Sequence, residues 1–127
     1  MADATPRTFA EKILAARAGR PVVAGDVVAV DPDVVLTRED TADLAAELTA
    51  RGGVLVRDPQ AHVVVLDRCC NATDAELASR QRTIRGWLET QGIDNFFDVG
   101  AGIAHQVLPE QGFVLPGRLI VGTTRPH

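Results

Sequence analysis

The chain has 127 residues, 46% of them hydrophobic and 24% charged, which suits one domain with a real core and excludes disorder. Its formal net charge is −4, from 17 acidic and 13 basic residues, and no basic cluster stands out, so a nonspecific nucleic-acid binder is excluded. Asp3, Arg7, Glu11, Lys12 and Arg17 break up the first twenty residues, leaving no signal-peptide core, and no apolar run approaches membrane-spanning length. A cytoplasmic protein without membrane contact is expected, and the adjacent pair Cys69 and Cys70, unable to form a disulfide framework, fits a reducing compartment.

Thr8 and Glu11 form a capping box, and Phe9, Ile13 and Ala16 share one face, predicting a first helix to Gly19 with one buried stripe. Asp26 to Val30 reads as a strand, Asp31-Pro32-Asp33 as a turn and Val34 to Leu36 as a second strand. Thr41 is placed to cap a second helix whose stripe is Leu44, Ala45 and Leu48, stopped by Gly52-Gly53. Val63 to Leu66 are four apolar residues in a row, the pattern of a parallel strand covered on both faces, with His62 before it taken as a surface residue. Asp67 to Asn71 forms its C-terminal loop. Thr73 and Glu76 make another capping box for a helix carrying Leu77, Ile84, Trp87 and Leu88 to Gly92.

Asn95 to Val99 reads as a buried strand, closed by a tight turn at Gly100-Ala101-Gly102. His105 follows, then a turn at Leu115-Pro116-Gly117 and a last apolar run, Leu119 to Val121. Alternating strands and helices predict an α/β fold with a mainly parallel sheet flanked by helices. Strand ends beside glycine turns are where such sheets place their chemistry.

The block FFDVGAGIAHQVLPEQGFVLPG, from Phe96 to Gly117, resembles the aconitase family, most of all the large subunit of 3-isopropylmalate dehydratase. Phe9 to Gly19, Gly25 to Thr37 and Val63 to Arg68 extend the resemblance over most of the chain. It covers only about the N-terminal third of such a subunit, so residues 1–127 are expected to be a single truncated domain of that kind. The resemblance implies a 4Fe–4S cluster held by three cysteines, and a serine that takes the α-proton of a hydroxy acid. No cysteine here matches a ligand position, and successive side chains of extended backbone point apart, so Cys69 and Cys70 make a poor pair of ligands. No cofactor and no metal site is expected.

At positions matching the family's active site, His105 and the acidic Asp67 are retained, whereas Arg68 replaces a histidine, Arg125 the proton-abstracting serine, and Arg38 an Asn or Gln that helps to hold the substrate carboxylate. Thr124 stands beside Arg125 in the same block. His105, Asp67 and Cys69 are therefore candidates for catalysis, and Arg38, Arg68, Arg125 and Thr124 for binding a small carboxylate- or phosphate-bearing ligand. Blander readings stand beside these. His105 could bond backbone under a turn, Asp67 could cap a helix or pair with Arg68, the arginines could be solvated, and Cys69 could be a small filler. Two functions remain open: a cluster-free lyase, isomerase or cyclase acting on a small acid held by arginines, or a non-catalytic anion-binding or accessory subunit that completes a partner chain. A homodimer or a partner subunit is expected to cover the exposed side of the sheet. A large exposed apolar patch would favour the accessory reading, and a compact polar cleft the enzyme.

Overall fold

Val63, Val64, Val65 and Leu66 are each at most 1% exposed, and this run forms the middle of the fold. The computed structural model describes residues 6–67 and 75–123. Their elements are α1 (Phe9–Ala18), β1 (Val34–Thr37), α2 (Thr41–Ala50), a single 3-10 turn (Pro59–Ala61), β2 (His62–Val65), α3 (Ala75–Gln91), β3 (Phe96–Phe97), α4 (Ala104–Glu110) and β4 (Ile120–Gly122). The strands form one sheet in the order β3-β2-β1-β4, and all three pairings are parallel. The fold is thus α/β, with helices on a parallel sheet.

Because successive strand residues face opposite ways, the alternation along β2 divides the core into two layers. Val63 and Val65 join Val34, Leu36 and the α4 residues Ala104, Val107 and Leu108, with Phe97, Phe113 and Ile120 packed against them. Val64 and Leu66 face the other way onto Ile84 and Leu88 of α3 and Ile93, with Ala42, Val56 and Trp87 beside them. Each such burial contributes roughly 1.5–3 kcal/mol. Gln91, 6% exposed, ties the incoming loop to this second layer, its Oε1 accepting from the Val56 amide at 2.7 Å and its Nε2 donating to the Val54 carbonyl at 2.8 Å.

Turn chemistry sets the chain reversals. Gly117 takes φ 79° after Pro116, and the Arg118 amide donates to the Leu115 carbonyl at 3.1 Å; the Ala101 amide likewise donates to Asp98. The capping box of α1 is present, with Glu11 accepting from the Thr8 amide at 2.7 Å.

Five expectations need correction. α1 buries none of its residues, and Phe9 is 82% exposed; the helix is held by polar contacts instead, with Arg17 on the Asp33 carboxylate and the Gly117 carbonyl. Asp26 to Val30 forms no strand: it has no apolar layer to pack on, and Val27 is 94% exposed. Leu44 faces out, so α2 buries Thr41 and Ala45 instead of a full apolar stripe. The strand expected over Asn95 to Val99 is only Phe96–Phe97. His62 is half-buried against Trp87, with ring centroids 6.1 Å apart, and is not a surface residue. The cap proposed at Thr73 lies outside the described residues.

Candidate functional site

In a parallel sheet every strand ends at the same edge, so the residues that follow β1, β2 and β4 meet although they are far apart in sequence. Arg38 follows β1, Asp67 lies just beyond β2, and Thr123 follows β4. Arg38 Nη1 lies 3.5 Å from Asp67 Oδ1 and Nη2 lies 3.5 Å from the Thr123 carbonyl, both at the long end of hydrogen-bonding range. The guanidinium, with five donors, therefore keeps capacity for a ligand. Asp67, its side chain 6% exposed, also accepts from the Ala104 amide through Oδ2 at 2.9 Å. A carboxylate from beyond β2 thereby caps α4, where Ile103 at the N-cap position makes no side-chain bond. Among the described residues its partners are Arg38 and the amide that opens α4.

Behind this edge runs a buried polar string. The Thr41 hydroxyl reaches the Thr37 hydroxyl at 2.8 Å and the Arg38 carbonyl, and Thr37 Oγ1 lies 3.0 Å from His62 Nε2. A carbonyl only accepts, so full satisfaction has Thr41 donating to Arg38, Thr37 to Thr41, and His62 Nε2–H to Thr37. Burial pushes the His62 pKa below its usual value, so the neutral ring with its proton on Nε2 is favoured.

Arg38, His105 and Thr123 line a pocket of about 410 Å³ whose remaining wall is Leu36, Ala104, Leu108, Pro109, Val114, Ile120 and Gly122. His105 is the second residue of α4 and is exposed. The structure thus brings together Arg38, Asp67 and His105 among the expected site residues. Arg68, Cys69, Thr124 and Arg125 lie outside the described residues, as does Cys70.

Sequence reasoning missed Asp40, Thr123 and the helical state of α4. Asp40 Oδ1 accepts from the Arg38 amide at 3.0 Å and from Thr123 Oγ1 at 3.1 Å. The available signal was position, since polar residues directly after strands of a parallel sheet fall at the ligand edge. Farther along that edge Asp98 receives Arg85 through two bonds of 2.7 and 2.8 Å, which holds its carboxyl below the usual range. Asn95 donates to the Gln60 carbonyl at 2.8 Å, tying the start of β3 to the turn before β2.

Among the described residues, no three His, Cys, Asp or Glu side chains are grouped so that they could hold a metal ion. Both cysteines lie outside the described residues, so the described part of the chain supplies no thiolate to the cluster that the resemblance implies.

The chain is thus a parallel α/β domain whose sheet carries, at its carboxyl edge, a pocket with a cation, a histidine and an apolar wall. No family model matches the chain. Individual relatives do: it is 44% identical over 118 residues to the probable 3-isopropylmalate dehydratase large subunit of Methanothermobacter thermautotrophicus, covering 91% of this chain and 28% of that protein. It is 40% identical over 117 residues to 3-isopropylmalate dehydratase large subunit 1 of Methanopyrus kandleri, with the same coverage. With the homoaconitase large subunit of Thermus thermophilus it shares 38% over 117 residues, 92% of this chain and 28% of the relative. The chain is homologous to these large subunits over about nine tenths of its own length, and it spans little more than a quarter of theirs. Among the described residues, no helix is long and apolar enough to cross a membrane.

Proposed function

We propose that this chain forms the acid-binding edge of an aconitase-type lyase, taking a small hydroxy carboxylic acid with an apolar substituent. The observation that carries this is the pocket itself, with Arg38 on one side and Leu36, Leu108, Pro109, Val114 and Ile120 on the other. A guanidinium recognises a carboxylate through paired N–H donors, and Asp67 holds Arg38 without claiming all of them. An apolar wall favours a branched alkyl group over a further carboxylate, which would lose its water there. Of the acids that the relatives' names carry, isopropylmalate fits this pocket better than a tricarboxylate. His105, exposed at the pocket wall, is the group placed to hold or move a proton at the bound acid.

A second reading has support of its own. Ile103, Val114, Leu115 and Val121 are 47–61% exposed, three of them on the segments that form the pocket wall or β4, so the edge carries an apolar rim. Such a rim favours an accessory role, in which a partner chain covers the pocket and supplies the remaining catalytic groups. Both readings make Arg38 the anion anchor.

The test is thermal denaturation with 3-isopropylmalate, citrate or phosphate. 3-Isopropylmalate is expected to raise Tm by a few degrees, as binding worth about 1–3 kcal/mol would do. Arg38→Ala should abolish the shift, and His105→Ala should leave it largely intact; Arg68→Ala and Arg125→Ala report on the other two arginines. If no carboxylate stabilises the wild type, the acid-binding reading fails. Stabilisation by citrate alone would overturn the role given to the apolar wall.

A further inference from the structure

Asp40 occupies the N-cap position of α2, where an aspartate ordinarily accepts from amides of its own first turn, yet it makes no such bond. Its backbone there is helical, with φ −74° and ψ −4°, and its Oδ1 turns back to the sheet edge. That one oxygen receives the Arg38 amide at 3.0 Å and the Thr123 hydroxyl at 3.1 Å, although Thr123 lies 83 residues away in sequence. Both partners line the pocket. The Thr123 carbonyl in turn accepts from the Arg38 guanidinium, and its amide donates to the Leu36 carbonyl at 3.0 Å. A closed circuit thus joins the ends of β1 and β4 through a carboxylate that has given up capping its own helix.

We propose that Asp40 is a positioning residue for acid binding, a clip that holds Arg38 and Thr123 in register across the β1–β4 junction. This rests on the acid-binding reading above. Asp67 is the ion-pair partner of the guanidinium, whereas Asp40 acts on the Arg38 backbone, so the two carboxylates have separate tasks. Without the clip the β4 end is tied to β1 by its strand pairing and the long guanidinium contact, and the arginine loses its fixed origin. A ligand would then have to order both loops on binding, which lowers affinity while leaving the fold in place.

The experiment is calorimetric titration of 3-isopropylmalate into the wild type, Asp40→Ala and Asp40→Asn, with the melting temperature and the exchange rate of the Arg38 amide recorded for each. Asp40→Ala is expected to weaken binding about tenfold or more and to speed exchange at Arg38, with little change in Tm. Asp40→Asn, which keeps an oxygen acceptor at the same place, should recover most of the affinity and the protection. A merely structural role would lower Tm in step with affinity and would not be rescued in this way. If Asp40→Ala does not fold, Thr123→Val, which removes only the hydroxyl end of the clip, carries the same expectation. Unchanged affinity in a folded Asp40→Ala or Thr123→Val overturns the role of Asp40 alone. A wild type that binds no carboxylate overturns the acid-binding reading and this role with it.

Discussion

Asp67 holds Arg38 and Ala104 at once, one carboxylate oxygen 3.5 Å from the guanidinium and the other 2.9 Å from the amide that opens α4. The edge of the sheet and the helix that walls the pocket therefore share one buried anion. An arrangement of this kind ties the stability of α4 to the binding edge.

Asp67→Ala should consequently do more than free an arginine. It leaves the amide of Ala104, a residue 0% exposed, without its acceptor, and an unmet buried donor costs about 1–3 kcal/mol. A drop of several degrees in Tm and faster exchange at the Ala104 amide are expected. Unchanged values for both would show that α4 does not depend on this cap.

His62 makes stability depend on pH near neutrality. Its folded pKa lies below the ordinary 6.5 because the ring is buried, so the unfolded chain takes up a proton that the folded chain resists. The contribution is complete above about pH 6.5 and is lost as pH falls through the lower folded pKa, with a slope of at most about 1.4 kcal/mol per pH unit. Urea midpoints should fall between about pH 7 and pH 5 in the wild type and stay flatter in His62→Gln. Asp98 works in the same direction at lower pH: its depressed carboxyl pKa stabilises the fold above the ordinary 3.8 and is lost on further acidification. Its side chain is 41% exposed, so solvent screening keeps that effect small. A midpoint that does not move between pH 7 and pH 5 would contradict the account of His62.

The apolar rim around the pocket bears on assembly. Leu115 and Val121, 47% and 50% exposed, lie before and within the edge strand β4. Self-association through this edge, most simply as a symmetric dimer, is expected at micromolar concentration by sedimentation. Val121→Asp should shift the population towards monomer. A wild type that sediments as a stable monomer at that concentration would favour a different partner chain on the rim.

Much of this molecule can be read locally. The order of elements from β1 to β3, the doubly covered β2 and the turns at Gly100 and Gly117 follow from period, apolar runs and glycine or proline chemistry, all acting within a few residues. Likeness to a family marked Arg38, Asp67 and His105, and parallel topology brought them to one edge. What sequence could not determine was which polar groups would meet. α4 has seven residues, a proline inside it and no local side-chain cap, so nothing nearby announces a helix; it forms against Val63 and Val65 of the core under a cap supplied from 37 residues away. Thr41 was expected to cap α2, but it is the first residue of the helix and Asp40 holds the N-cap position, its carboxylate taken by Thr123, 83 residues distant. His62 looked exposed until α3 laid Trp87 over it and Thr37 met its ring nitrogen. Local patterning determines the segments from β1 to β3, because backbone geometry repeats over short distances. The partners of buried polar groups are decided only when the sheet closes, because burial then forces each remaining donor and acceptor to find whatever lies beside it.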